Sequence, residues 1–220
     1  MNEILLFIEI IIVFSIVLIT NRLFKKEGLI AYIGIASVLA NIQVAKQITI
    51  FGLDATLGNV LFASTFLATD ILTEYYSKKD AVKGVNVGLM SVIIYIIISQ
   101  LTLLFTPNSF DFVSDSMKNI FELAPRICIA SVVMFYIANR VDVFLYNKLK
   151  LKNTKLWFRN NLSTILCNCL ENFLFIGLAF YGIYDLKTIL IIAGTSSIIE
   201  TIIALCDTPF LYLAKKGVSK

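Results

Sequence analysis

Two carboxylates lie inside apolar runs in which ionisable residues are rare. Glu171 lies near the middle of one run, and Glu200 lies near the middle of the next. Each run is long enough to cross a membrane, where a charged group costs about 2.5–3.5 kcal/mol near the helix centre. We therefore expect Glu171 and Glu200 to line a polar cavity. The alternative is a fixed ion pair in which Lys46 or Arg126 neutralises them.

The spacing of neighbouring polar residues favours the cavity. Asn168, Glu171 and Asn172 fall at i, i+3 and i+4, so they share one face of a helix. Asp70 and Asp142 bring carboxylates from two other apolar runs. Carboxylates accept hydrogen bonds only, so they suit protons, cations or a ligand that presents N–H donors. Aromatic residues make up 12% of the chain and offer faces for a flat ring. A planar nitrogen heterocycle and a small cation both fit these features.

Several residues that other chemistries need are missing from the sequence. There is no histidine, so there is no imidazole base or imidazole metal ligand. The four cysteines lack C-x-x-C spacing, and no G-x-x-x-x-G-K-[ST] loop is present to hydrolyse ATP. Asp70, Asp142 and Asp207 do not form a paired-aspartate protease signature. We expect a protein that is not an enzyme and that holds neither a cofactor nor a metal.

The composition limits the class of protein. Of the 220 residues, 58% are hydrophobic and 15% charged, against about 45–50% and 25% in soluble domains. A soluble enzyme with one water-facing surface is therefore excluded. The net charge of +4 is modest, and the basic residues concentrate between the apolar runs, which excludes a nucleic-acid binder. The expected partner is the lipid bilayer.

Seven apolar segments account for most of the chain. A span needs about 20 residues, and runs of this length form helices because the backbone must satisfy its own hydrogen bonds in lipid. The sequence therefore predicts an all-α, polytopic membrane helix bundle, with residues 1–220 forming a single transmembrane domain. The predicted segments are 3–21, 28–50, 55–76, 84–105, 123–147, 160–184 and 187–213.

Basic residues predict the orientation of this bundle. The successive connections and the C-terminal tail contain 3, 0, 3, 1, 5, 1 and 3 of them. Because cytoplasmic loops carry the excess of Lys and Arg, the N-terminus is expected outside and the C-terminus in the cytoplasm. We expect a multi-pass protein of the plasma membrane.

Five stretches resemble one known family, the YhhQ-type queuosine precursor transporters, which are also grouped as vitamin-uptake-type transporters. The stretches are LANIQVAKQITIFGL at 39–53, FLATDILTEYYSKKDA at 66–81, PRICIASVVMFYIANRVDVFLYNKL at 125–149, FRNNLSTILCNCLENFLFIGLAFYG at 158–182 and TPFLYLAKK at 208–216. The resemblance implies a six-helix core over about 28–213, preceded by an extra helix over about 3–21.

The resemblance also implies a function and a site. The expected function is import of 7-deazaguanine precursors of queuosine for tRNA modification, namely 7-cyano-7-deazaguanine, 7-aminomethyl-7-deazaguanine or queuine. Glu171 or Asp70 would bind the donor edge of the base, and Arg126 or Asn168 would bind its carbonyl. Glu200 stands where the family is expected to have a basic residue, so specificity or coupling is expected to differ there. The candidate substrate-binding residues are Asn41, Lys46, Asp70, Arg126, Asp142, Asn168, Glu171 and Glu200.

Other functions are compatible with the same residues. The main alternative is the substrate-binding subunit of an energy-coupling-factor vitamin transporter, which needs separate ATPase and transmembrane partners. An intramembrane aspartyl hydrolase and a purely structural membrane protein are further alternatives. A homodimer is also expected to be possible, because small transporters often dimerise to complete a pathway.

Overall fold

The computed structural model describes residues 1–43, 46–121, 125–182 and 185–218. Within these ranges the side chain of Arg126, among a few others, lies outside the described part. Seven helices and one two-stranded sheet follow one another along the described chain. They are α1 (Asn2–Gln43), β1 (Gln47–Ile50), β2 (Leu53–Thr56), α2 (Asn59–Tyr75), α3 (Lys78–Leu103), α4 (Ser114–Phe121), α5 (Pro125–Leu151), α6 (Leu156–Phe180) and α7 (Leu186–Val218). The all-helical prediction is confirmed for the body of the protein.

Four of the described helices are long and apolar enough to cross a membrane. They are α1, α3, the part of α6 over Leu156–Leu178 and the part of α7 over Leu186–Lys215. The helix α2 has 17 residues, which is shorter than the roughly 20 that a straight span needs. The predicted count of seven spans and the predicted positions of the two termini stay predictions.

The first two predicted segments are joined in one element. The 42 residues of α1 are interrupted at Lys25, whose φ of 54° and ψ of −143° are not helical. At about 1.5 Å per residue the whole element would extend for roughly twice the hydrocarbon thickness of a bilayer. The break therefore divides it into two rods, each of about membrane length. The first rod packs on α7, because the Phe14 and Phe210 rings lie 5.3 Å apart and Asn21 donates to the Ala214 carbonyl at 3.1 Å.

The prediction was wrong at the C-terminal end of segment 28–50 and at the N-terminal end of segment 55–76, where the structure has a β-hairpin instead of helix. Strands β1 and β2 pair antiparallel, with Ile50 opposite Leu53. The two turn residues, Phe51 and Gly52, have φ values of 52° and 76°, as a type I′ turn requires. The run of Ile48, Thr49 and Ile50 is β-branched and favours strand. Apolar runs do not separate strand from helix, so hydropathy alone missed the hairpin.

The helix α2 lies at the centre of the bundle. All residues from 63 to 73 are buried, so α2 is enclosed on every side rather than on one face. The threonine hydroxyls of α2 form hydrogen bonds within the helix. Thr65, Thr69 and Thr73 each donate to a backbone carbonyl three or four residues earlier. This leaves Asp70 as the ionisable group of the buried stretch, facing the helices around it.

Candidate functional site

A stripe of polar side chains runs along the buried side of α6. Asn160, Thr164, Asn168 and Asn172 recur every four residues and are at most 7% exposed. Residues four apart in a helix lie on one face, so they form a continuous line of roughly 18 Å. Glu171 adjoins this line and is half-buried. The predicted shared face of Asn168, Glu171 and Asn172 therefore belongs to a longer polar surface.

The helix α7 supplies acidic partners to this stripe at two levels. Asn172 donates from Nδ2 to Oε2 of Glu200 at 2.8 Å. Asn160 donates from Nδ2 to Oδ1 of Asp207 at 2.5 Å. Glu200 and Asp207 are seven residues apart, two helical turns, and both are buried. The interface between α6 and α7 is thus held by amide-to-carboxylate hydrogen bonds inside a protein whose exterior is apolar.

The first level is a group of four residues, Asn168, Glu171, Asn172 and Glu200, which we call the Glu171 group. Glu171 and Glu200 lie within electrostatic range of each other. Oδ1 of Asn168 and Oε2 of Glu171 are buried and have no hydrogen-bond partner among the described residues. Since unpaired buried acceptors cost free energy, this group is built to receive a donor from a ligand or from water.

The second level is a group of Asp70, Asp142, Asn160 and Asp207, which we call the Asp70 group. It joins α2, α5, α6 and α7, and none of its four residues has solvent-exposed area. Asp70 interacts electrostatically with Asp142 and Asp207. Both carboxylate oxygens of Asp70 and of Asp142 lack a hydrogen-bond partner within the described chain. Asp207 and Asn160 join Asp70 and Asp142 here, although neither is among the predicted site residues.

Cys167 lies between the two groups. Its side chain is fully buried and is within electrostatic range of Asp70, Asp142 and Glu171. The Glu171 group and the Asp70 group otherwise have different partners, since Glu171 faces Glu200 and Asp70 faces the other aspartates. The two groups are neighbouring but separate polar sites on one helix.

An ion-pair network at the end of α2 positions Asp70. Glu74, one turn after Asp70, forms an ion pair with Arg159 of α6 and lies 3.9 Å from Nζ of Lys150 of α5. Lys150 also donates to the Thr73 carbonyl at 2.6 Å. Because these contacts tie α2 to both α5 and α6, they fix the depth at which Asp70 meets Asp142.

Two predicted site residues are not brought to these groups, and the side chain of a third is not described. Lys46 is exposed and precedes β1, where its carbonyl accepts from Leu57 N at 3.1 Å. Asn41 is half-buried and donates to the Ser37 carbonyl of its own helix at 2.9 Å. The side chain of Arg126 lies outside the described residues. The structure thus brings together Asp70 with Asp142, and Asn168 with Glu171 and Glu200.

Sequence reasoning missed Asn160 as a site residue. The signal was present, because Asn160, Thr164, Asn168 and Asn172 follow at intervals of four. Asn160 is the first residue of the predicted segment 160–184. A polar residue at that position is typical of a helix end and does not by itself indicate a buried face. Within the described residues, no group of three or more His, Cys, Asp or Glu side chains is arranged to hold a metal ion.

These features define a helical membrane protein with buried, acceptor-rich polar groups between its helices. The family model described as "Putative vitamin uptake transporter" matches residues 56–214, the region that contains both groups. The chain therefore belongs to the vitamin uptake transporter family, as the resemblance predicted.

Two curated relatives agree with this assignment. A protein of Bacillus subtilis (strain 168) named "Probable queuosine precursor transporter" is 37% identical over 211 residues, covering 94% of this chain and 92% of the relative. A protein of the same name from Haemophilus influenzae is 29% identical over 138 residues, covering 61% of this chain and 56% of the relative. Because this match covers 94% of the chain, it includes at least part of the predicted N-terminal segment 3–21. No solved structure matches the chain significantly.

Proposed function

We propose that this protein imports queuosine precursors across the plasma membrane in a multi-pass arrangement, feeding tRNA modification. The substrates would be 7-deazaguanines such as 7-cyano-7-deazaguanine, 7-aminomethyl-7-deazaguanine or queuine. The family and the names of the two relatives support the substrate class. The observation that carries the proposal is the pair of unfilled acceptors, Asn168 Oδ1 and Glu171 Oε2, beside Glu200.

The Glu171 group offers what a guanine-like base needs. The edge of such a base presents a ring N–H and an exocyclic amine, and one carboxylate can accept from both. Glu171 is half-buried and adjoins Asn168, whose amide has a donor for the carbonyl of the base as well as an acceptor. In this proposal Glu171 binds the donor edge, Asn168 binds the carbonyl, and the Asn172–Glu200 hydrogen bond holds the second carboxylate in place.

The proposal departs from the sequence interpretation in one respect. Asp70 and Asp142 were expected to contact the substrate, but they are fully buried and face each other and Asp207. We therefore assign substrate contacts to the Glu171 group alone. Asn41 and Lys46 have no role in this proposal, since both lie away from the two groups.

Ligand binding to the purified protein tests the substrate class. A ligand that binds only the folded state stabilises it by about 2.7 kcal/mol at one hundred times Kd. We expect thermal stabilisation in detergent by 7-cyano-7-deazaguanine, its aminomethyl relative and queuine, and none by unrelated vitamins. Folded protein that responds to no deazaguanine would refute the proposal.

The variant Glu171→Gln tests the site. It keeps the shape of the side chain but replaces a charged acceptor by a neutral amide. Hydrogen bonds to charged groups contribute about 1.5–3 kcal/mol, so Kd should rise about 10- to 100-fold in a calorimetric titration. The control variant Asp115→Asn changes an exposed carboxylate of α4 and should bind as the wild type does. Unchanged affinity in Glu171→Gln would remove Glu171 from the site.

Reconstitution tests whether the chain transports by itself. Uptake by the protein alone in liposomes would exclude a subunit that depends on a separate ATPase. Binding in detergent without uptake in liposomes would favour that alternative instead.

A further inference from the structure

The Asp70 group contains many hydrogen-bond acceptors and almost no donors. Six of its oxygen atoms are buried and accept no hydrogen bond of normal geometry among the described residues: both of Asp70, both of Asp142, Oδ1 of Asn160 and Oδ2 of Asp207, although the Ser163 hydroxyl lies near Asp142. The donor that the group does contain, Nδ2 of Asn160, is already bound to Asp207. The side chain of Asn160 has no exposed area, its Nδ2 is bonded to Asp207, and its Oδ1 is buried without a partner among the described residues. An amide that is not itself a carboxylate is therefore also short of a hydrogen-bond donor at this site.

The charged and titratable groups around this site do not supply a cation to it. From α2 it is faced by Glu74, from α5 by Tyr146 and from α6 by Cys167, while α7 contributes Asp207 itself. Three cations on these elements are engaged elsewhere. Arg159 and Lys150 form ion pairs with Glu74, and Arg140 of α5 donates to the Tyr136 hydroxyl at 2.7 Å.

Three carboxylates cannot all be ionised in such a place. A buried charge without a partner is very costly, and neighbouring like charges add to that cost. Protons resolve both problems, because each bound proton removes one charge and turns one oxygen into a donor for a neighbouring acceptor. The closed surroundings leave room for a proton but not for a heterocycle, since none of the four residues has exposed area.

We propose that the Asp70 group is a proton-binding site whose loading is coupled to substrate binding at the Glu171 group. The inference rests on the proposed function, because it assumes that substrate binds at the Glu171 group. Both groups are carried by α6, at Asn160 and at Asn168 to Asn172, and Cys167 lies between them. A displacement of α6 that accompanies substrate binding therefore changes the surroundings of both, which is the requirement for coupling between two sites.

The proton takes part in no covalent change of the substrate. It binds to a carboxylate oxygen of Asp70, Asp142 or Asp207 on one side of the membrane and leaves from it on the other. The energy comes from the proton gradient. With one proton per substrate, a gradient of one pH unit supports about tenfold accumulation at equilibrium.

The test uses wild-type protein in liposomes that contain a pH-sensitive dye, with valinomycin and potassium holding the membrane potential at zero. The probe is radiolabelled 7-cyano-7-deazaguanine, with the outside about one pH unit more acidic than the inside. We expect uptake to acidify the lumen and to accumulate substrate about tenfold. Uptake that leaves the lumenal pH unchanged and does not respond to the gradient would overturn the proposal, and so would dependence on a sodium gradient instead.

Variants then locate the proton site. In Asp70→Asn and Asp142→Asn, residual uptake should neither acidify the lumen nor respond to the pH gradient. The control Asp115→Asn should acidify the lumen as the wild type does. Residual uptake by Asp142→Asn that still carries protons at the wild-type ratio would refute the assignment.

A calorimetric measurement covers the case in which these variants do not fold. Titration of 7-cyano-7-deazaguanine into the wild type and into Glu171→Gln, in buffers of different ionisation enthalpy, counts the protons exchanged on binding. A non-zero number that persists in Glu171→Gln supports the coupling, because Glu171 itself can exchange a proton, and zero in the wild type refutes it. If the wild type binds no deazaguanine at all, the proposed function fails and the coupling with it; binding without proton exchange refutes the coupling alone.

Discussion

The loss of the buried ion pair between Glu74 and Arg159 can be compared with the loss of a more exposed ion pair in the same protein. The two side chains are 14% and 10% exposed, so water screens the pair little. Arg159 also donates from Nη1 to the Thr154 carbonyl at 2.6 Å, and its guanidinium lies 5.8 Å from the centre of the Tyr146 ring. Replacing Glu74 by glutamine leaves this guanidinium buried without its counter-charge.

The expected cost follows from this burial. Breaking a buried pair by removing one partner costs about 3–5 kcal/mol. We take the lower value, about 3 kcal/mol, because Arg159 keeps its bond to the Thr154 carbonyl and glutamine keeps an acceptor. For a chain of about 150–250 residues each kcal/mol lowers Tm by about 2–4 °C, so Glu74→Gln should lower it by about 6–12 °C.

Cys167 provides the assay. Cys169 and Cys206 are only half-buried, so the assay uses a background in which the other three cysteines are replaced by serine. In that background the fully buried Cys167 thiol becomes reactive only when the bundle opens, and a thiol-reactive fluorogenic dye follows thermal unfolding in detergent. The matched control is Lys26→Gln, which breaks an ion pair to Asp80 with a distance of 3.5 Å and side chains 43% and 20% exposed. Exposed pairs contribute about 1 kcal/mol or less, so this control should lose at most a few degrees.

A double variant separates the pair from other effects of the substitution. Arg159→Met removes the cation that Glu74→Gln leaves unpaired, so the double variant should lose less stability than the sum of the two single variants. The reasoning is refuted if Glu74→Gln loses no more than Lys26→Gln, or if the two single losses simply add.

Two further substitutions test local geometry. Phe51 has a φ of 52° at the first turn position of the hairpin, where asparagine is favoured, so Phe51→Asn should raise the free energy of unfolding by about 0.5–1 kcal/mol in the same thermal assay; a lower Tm would contradict the turn assignment. Asp185 accepts from the Thr188 hydroxyl and backbone N–H at the start of α7, and these hydrogen bonds lower its pKa below the usual 3.8. A lowered pKa means that the stabilisation is present above pH 4 and is lost as the pH falls through the folded-state pKa. Asp185→Ala should therefore lower Tm at neutral pH and have little effect at strongly acidic pH, where an equal loss would exclude the charge as its cause.

The helices were largely predictable, because long apolar runs report directly on burial in lipid. Their ends were less so. The helix α3 begins at Lys78, six residues before the predicted segment 84–105, because Ser77 accepts from Asp80 N at 3.1 Å and caps a polar first turn. A hydropathy pattern does not include such a turn in the helix, although capping residues mark it.

The break in α1 has a different origin. Lys25 adopts a positive φ that its residue type does not favour, so the surrounding packing imposes it. On either side, Asn21 links α1 to α7 and Lys26 links it to Asp80 of α3. These are contacts across the chain, and a local pattern contains no information about them.

The candidate site was likewise predictable in part, because some of its features depend on local spacing and others on helix packing. The face that joins Asn168 to Glu171 is set by helical spacing, and the sequence predicted it. The division into a Glu171 group and an Asp70 group depends on which helix packs against which end of α6, because Asn172 meets Glu200 while Asn160 meets Asp207. Helix pairing is tertiary, so the sequence could place carboxylates inside apolar helices but could not tell which of them would form the Glu171 group and which the Asp70 group.

The division into two groups indicates a role for Glu200 that its position in the sequence did not indicate. Its carboxylate is held by Asn172 and lies within electrostatic range of Glu171, so the two acids form one acceptor surface on two helices. A basic residue at position 200 would instead neutralise Glu171 and compete with the donor edge of a bound base for it. With Glu200 in that place, no basic side chain at position 200 competes for Oε2 of Glu171, which has no partner among the described residues. Because α6 carries amides of both groups, a displacement of α6 on substrate binding would change the surroundings of both, which is the physical basis for the proposed coupling of substrate and proton.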